Sequence, residues 1–187
     1  MAGVVLANIG SETVSIVVFE NNLPQSLEVF PIGSNDITND IALGLRIPLE
    51  EAEDIKRGTL VGGNFSRKRL DEIVQARLSD IFELIESHLK ILGRIGLLPA
   101  GIVLTGGGSA IEAIGDLAKT ALRLPSRIAS VSFGDNIRGQ IRDASWSVAY
   151  GLCILGLQNG DEETSSGLGL VRKTKKGLLN LFRQFLQ

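Results

Sequence analysis

Residues 101–105 (GIVLT) form an apolar run that ends in Gly106, Gly107 and Gly108, with Ser109 next. A strand opening into glycines brings backbone N–H groups up to a ligand without side-chain obstruction, and a helix that starts just beyond adds its positive end. Together these suit a nucleotide. The same triplet equally suits a tight strand-to-helix turn with close packing, and spacing alone leaves both readings open. Ser109 and Glu112 stand at capping-box spacing for a helix to about Arg123. The chain has a single His and a single Cys, too few for a His/Cys zinc set or a Ser-His-Asp triad, and no metal site is expected. His88 lies in a charged helical stretch and reads as a surface residue; Trp146 and Tyr150, four apart on a helix, read as packing.

A second kind of chemistry sits at the other end. On a helix at about 100° per residue, Leu178, Leu179, Leu181, Phe182, Phe185 and Leu186 of the segment 177–187 (GLLNLFRQFLQ) fall within an arc of roughly 160°. Asn180, Arg183, Gln184 and Gln187 fill the opposite side. Arg172, Lys173, Lys175, Lys176 and Arg183 lie in 170–187 with no acid, so a chain of net charge −2 consists of an acidic body and a basic tail. That pairing fits the surface of an anionic membrane, where each Lys or Arg contributes about 1 kcal/mol. Eleven residues reach roughly 16 Å, too short to cross a hydrocarbon core of about 30 Å, so the helix would lie in the interface. Docking on its own domain or on a partner protein is the competing reading.

The elements that must position these groups follow from pattern. The 187 residues, 44% hydrophobic with 22 Gly, suffice for one domain or two small lobes of an α/β protein. Lone Cys153 suits a reducing cytoplasm, and MAGVVLANIG reads as a buried strand rather than a signal peptide. Residues 4–7 and 13–19 read as antiparallel strands joined at Gly10-Ser11-Glu12. After Asn21-Asn22 a third strand covers 26–32, with Pro31 marking its end or a sheet edge. Asn35 or Asp36 can cap a helix to about Leu45. Pro48 starts another with Glu50, Glu51, Glu53 and Asp54 near its positive end and Lys56 and Arg57 in its last turn. Leu70, Val74, Leu78, Ile81, Ile85, Leu89 and Leu92 recur every three or four residues, predicting a core-facing helix over 66–93. A strand at 127–133 and a final core helix at 144–157 capped by Asp143 complete the body. The Gly/Ser-rich, charged stretch 159–176 reads as a flexible linker.

With these segments in order, the chain resembles the second half of an actin/Hsp70-type ATPase, most closely the FtsA family of bacterial cell-division proteins. ANIGSETVSIVVF (7–19) stands where that family has its second phosphate loop, PIGSNDITNDIALGL (31–45) resembles the lead into subdomain IIB, and LEEAEDIKRG (49–58) the helix facing the adenosine. GIVLTGGGS (101–109) resembles the adenosine loop and WSVAYGLCILG (146–156) the closing helix. The resemblance implies an α/β fold, the C-terminal lobe of the actin/Hsp70-like (ribonuclease H-like) type, with a mixed sheet and flanking helices. It divides the chain into a IIA-like part (1–34 and 94–158), a IIB-like part (35–93), the linker (159–176) and the amphipathic helix (177–187). It implies Mg-ATP as ligand, weakly held or lost, with Asn8, Gly10, Ser11, Thr13, Glu53, Lys56, Gly106, Gly107, Gly108 and Ser109 facing it.

Two departures shape the expected function. The family's phosphate-loop Asp is Asn8 here, and its Gly-Gly is Ser11-Glu12. The amide removes a charge that would hold a magnesium hydration shell. A Glu12 carboxylate about 4 Å from a phosphate oxygen would cost about 4 kcal/mol at an effective dielectric of about 20. Turnover is therefore not expected, and the chain reads as a non-enzyme. The family's N-terminal half, carrying the first phosphate loop, is not among these residues, so either the chain belongs to something longer or one lobe works alone. The resemblance implies an adaptor that binds FtsZ and other division proteins and ties them to the cytoplasmic face of the membrane at the division site, with no nucleic acid bound. Lys175, Lys176, Leu178, Leu179, Leu181, Phe182, Arg183, Phe185 and Leu186 would meet the lipid. Arg67, Lys68 and Arg69 are candidates for an acidic FtsZ peptide, though as residues they read as a solvated face. Self-association by stacking of lobes is a further expectation. The alternatives are an actin-fold ATPase lobe with nucleotide turnover, and a PilM-like scaffold for pilus assembly.

Overall fold

The structure, a computed structural model, describes residues 3–60, 65–129 and 144–159, the side chains of 158 and 159 aside. In chain order the elements are β1 (Val4–Ile9), β2 (Val14–Glu20), β3 (Leu23–Phe30), α1 (Ser34–Leu45), α2 (Leu49–Lys56) and α3 (Arg67–Ile91). They continue with β4 (Ile102–Thr105), a 3-10 turn (Gly107–Ala110), α4 (Ile114–Leu122), β5 (Ser126–Ile128), a second 3-10 turn (Ala144–Trp146) and α5 (Ser147–Asn159). The chain divides into two compact units, Met1–Val148 and Ala149–Gln187. In the second, the described residues continue α5.

The strands form one mixed sheet in the order β3-β2-β1-β4-β5. β1 and β3 run antiparallel to β2, and β4 is parallel to both β1 and β5. The β2–β3 hairpin closes through Asn21 and Asn22 at φ of 52° and 66°. Both are left-handed, the geometry whose twist matches the strands. As Pro31 suggested, β3 ends at Phe30 and lies at the sheet edge.

Alternation along the strands places Val5, Ala7 and Ile9 of β1 and Val14, Ile16 and Val18 of β2 fully out of solvent. They share one core with Ile37 and Ile41 of α1, Leu78, Ile81, Phe82, Ile85 and Leu89 of α3, Ile102 and Leu104 of β4, and Ile114, Ala118 and Leu122 of α4. Each large side chain so buried contributes about 1.5 to 3 kcal/mol. The α3 stripe is the one its period predicted, with Leu70, Val74 and Leu92 packed at its margins. A bidentate pair, Arg77 Nε and Nη2 donating to Asp40 at 2.6 and 3.0 Å, ties α3 to α1.

Four local expectations change. α1 is capped by the backbone of Gly33, and Asp36 instead reaches back, its Oδ2 accepting the Gly33 N–H at 2.8 Å. Ser109 caps no α-helix: its hydroxyl turns back to the Gly106 carbonyl at 2.7 Å inside a 3-10 turn, and α4 begins at Ile114 after a left-handed Ala113. The last helix keeps neither its expected start nor its place in the core: Trp146 sits in the second 3-10 turn, and Trp146, Tyr150 and the rest of 148–157 are exposed rather than packed. His88 is not a surface residue, for its side chain is 13% exposed. Its Nε2 lies 2.7 Å from Ser26 Oγ, and its ring meets Phe30 edge-on at 6.4 Å. Phe133, Asp143, most of the linker and the whole of 177–187 lie outside the described residues; Asn159, expected in the linker, closes α5. Among the described residues no helix is long and apolar enough to cross a membrane.

Candidate functional site

β1, β3 and β4 all finish at the same end of the sheet, because β4 is parallel to β1 and β3, antiparallel to β2 as β1 is, runs the same way. The loops leaving those ends collect most of the residues singled out in the sequence. Open α/β sheets bind ligands outside the carboxyl ends of their parallel strands.

Asn8 is partly buried and stands opposite Thr105 in the β1–β4 ladder. Beyond it, the Gly10 N–H closes on the Thr13 carbonyl at 2.9 Å, making a four-residue turn whose Ser11, Glu12 and Thr13 side chains are exposed. The start of α1 is docked on this turn. Ser34 N–H donates to Gly10 O at 2.9 Å and Asn35 N–H to Ser11 O at 2.8 Å. With Asp36 N–H on Gly33 O at 3.2 Å, three of the four free amides at the helix start are occupied by backbone carbonyls and are not offered to an anion. The docking is tight: a Cβ on Gly33 would overlap the Ser11 carbonyl. Gly33 was missed from sequence; the signal was its place between strand and helix.

The glycine triplet divides by role. Gly106 has φ +86°, and a Cβ there would come within 2.6 Å of Asn8 Oδ1 and 2.5 Å of Ile9 O. A Cβ on Gly108 would overlap the Ile9 side chain. These two glycines are required by the close approach of the turn to β1. Gly107 alone is exposed, its nearest neighbour being Ser145 at 4.0 Å from a built Cβ. Ser109 is 1% exposed, its hydroxyl committed to Gly106 O. Close packing therefore accounts for Gly106 and Gly108, while Gly107 stands exposed to solvent.

Glu53 and Lys56 stand one turn apart on α2, facing α1. Lys56 Nζ lies 2.6 Å from Glu53 Oε2, 2.7 Å from Thr38 Oγ1 and 3.0 Å from Ser34 O. Thr38, 6% exposed on α1, donates its hydroxyl to Glu53 Oε2 at 2.6 Å. The exposed Arg57 donates to Glu53 Oε1 at 2.7 Å. Partial burial would raise the Glu53 carboxyl, but hydrogen bonds from Lys56, Thr38 and Arg57 and the ammonium charge outweigh it and lower it to about 2. Thr38 was missed from sequence; a polar residue next to the buried Ile37 and three before Ile41 was the available sign. Through Ser34, this cluster joins the turn at Gly10, so the structure brings Asn8, Gly10, Ser11, Thr13, Glu53, Lys56 and the glycine turn to one end of the sheet.

Arg67, Lys68 and Arg69 open α3 and are exposed. Arg67 reaches Glu112 at 3.5 Å and Lys68 reaches Glu72 at 4.0 Å, contacts between solvated side chains of little energetic weight. Among the described residues no group of three or more His, Cys, Asp or Glu could hold a metal ion.

The model of the family "Cell division protein FtsA" matches residues 5–151. The chain belongs to the FtsA family. It is 32% identical to the FtsA of Pseudomonas aeruginosa over 184 residues, which takes in 87% of this chain and 44% of that protein. Against the FtsA of Bacillus subtilis it is 32% identical over 178 residues, 84% of this chain and 39% of the relative. The chain thus spans less than half the length of these relatives. Among solved structures, the PilM–PilN type IV pilus biogenesis complex matches with a TM-score of 0.68 at 22% identity, covering 83% of this chain and 46% of that one. MreB5 of Spiroplasma citri, bound to ADP, matches with a TM-score of 0.68 at 18% identity over 88% and 56%. At such identities these likenesses show fold alone: the FtsA-family chain has the actin/Hsp70-like architecture, a mixed sheet with flanking helices.

Proposed function

We propose that this chain acts as the C-terminal lobe of an FtsA-type adaptor, gripping FtsZ through its globular part and settling on the cytoplasmic membrane through 177–187. The observation that carries this reading is the joining, in one chain, of an FtsA-family body over 5–151 to a basic tail whose apolar residues fall on one helical side. In this reading other division proteins are also partners, and the site of action is the inner membrane surface where the cell divides.

Nucleotide has a subordinate place. The sheet end that gathers Asn8, the Gly10–Thr13 turn, Gly107 and Glu53 would accept Mg-ATP against a second wall supplied by other residues, and this chain alone would not turn it over. Asn8 and Glu12 support that part, since neither presents the acid-then-glycine arrangement that holds a hydrated magnesium ion beside phosphate. The PilM-like alternative draws only on fold, and the tail favours the membrane adaptor.

The test of partner choice is fluorescence anisotropy with a labelled peptide of the FtsZ carboxyl terminus. Saturable binding is expected, weakened about tenfold or more by Arg67→Glu with Arg69→Glu, because reversing two cations repels an acidic peptide. No binding by the unmodified chain would remove the FtsZ half of the proposal.

A further inference from the structure

The resemblance places Lys56 beside Glu53 as a group facing the nucleotide, yet its surroundings assign it other work. An ammonium has three hydrogens and no other donor. Three oxygens, Glu53 Oε2, Thr38 Oγ1 and Ser34 O, stand within 3.0 Å of Nζ, and the Lys56 side chain is 8% exposed. Nothing is left over for a phosphate or a ribose hydroxyl, and freeing a hydrogen would strip a charge-assisted contact from a nearly buried cation. Glu53 differs: its side chain is 30% exposed and one of its oxygens is held by the exposed Arg57.

What Lys56 does hold is the carbonyl of Ser34, the first residue of α1. The N–H of that same residue donates to Gly10 O, and the next N–H, of Asn35, donates to Ser11 O. We propose that Lys56 is a positioning residue: it fixes the start of α1 against α2 and, through Ser34 and Asn35, sets the β1–β2 turn at Gly10 and Ser11, without itself touching a bound nucleotide. Thr38 shares the task, because its hydroxyl accepts from Lys56 and donates to Glu53, orienting both. The proposal refines the nucleotide-facing part of the proposed function and rests on that reading only in naming what the turn would meet.

The test is amide hydrogen exchange on the full chain without nucleotide, followed by titration with a fluorescent ATP analogue and Mg2+. Lys56→Met is expected to speed exchange at Ser34 and Asn35 by about tenfold or more, with the β4 amides unchanged. Arg57→Ala, which removes only the exposed partner of Glu53, is expected to leave Ser34 and Asn35 protected. Thr38→Val should loosen the same two amides and Thr38→Ser restore them; this pair decides the matter if Lys56→Met unfolds, as loss of β4 protection would show. Unchanged protection of Ser34 and Asn35 in Lys56→Met or Thr38→Val overturns the proposal, and a fall in analogue affinity with protection intact would make Lys56 a ligand. If the unmodified chain fails to bind the analogue, the nucleotide reading falls, while exchange still decides the role of Lys56.

Discussion

Glu53 carries a carboxyl held well below its ordinary range, at about 2 against a reference of 4.5, by three donors that outweigh the penalty of its partial burial. The sign of the resulting pH dependence follows from linkage. A carboxyl lowered on folding contributes stability that is fully present above the unfolded value and is lost as pH falls toward the folded one. Urea midpoints of the unmodified chain and Glu53→Gln should therefore differ most above about pH 5 and converge as pH falls toward about 2. A constant gap across that window would contradict the cluster as described. Half of this arrangement is legible in the sequence. Glu53 and Lys56 share a face of a short helix by their spacing, but Thr38 and the Ser34 carbonyl come from a helix 15 to 22 residues earlier. No local pattern shows that α1 and α2 meet there.

At the scale of elements, α3 supports the body of the molecule. Its Leu78, Ile81, Phe82 and Ile85 are fully buried in a core shared with β1, β2, β4 and α1. Phe82→Ala should cost about 3 to 5 kcal/mol of unfolding free energy, because the space it leaves is walled by other packed side chains. A loss below about 1 kcal/mol by chemical denaturation would mean that α3 is not core-facing. This helix and the Asn21-Asn22 hairpin were readable because their signals are local, a 3.6-residue period and two residues that tolerate positive φ. The helix expected at Ser109 was misread for the converse reason. Its serine and glutamate have capping spacing, but Gly106 and Gly108 press the turn against Ile9 so closely that the backbone winds into a 3-10 turn and the hydroxyl folds inward. His88 was legible in principle: three residues after Ile85 and four before Leu92, it lies beside the buried stripe, and the charges around it hid that.

At the scale of the whole molecule, an acidic body of actin/Hsp70-like fold is joined in sequence to a cationic end whose apolar residues would share one side if it were helical. The body's identity is fixed by the FtsA-family match; the adaptor role depends on the end being free to meet lipid while the body holds FtsZ. The most direct measurement is flotation of FtsZ polymers with vesicles of phosphatidylglycerol and phosphatidylethanolamine on a density gradient, in the presence of the full chain or a chain ending at Lys176. The full chain is expected to carry FtsZ upward with the vesicles, less so as salt rises because the attraction is partly electrostatic, and the shortened chain to leave both proteins at the bottom. Equal recovery of FtsZ on vesicles with and without residues 177–187, or none with either, would contradict the account.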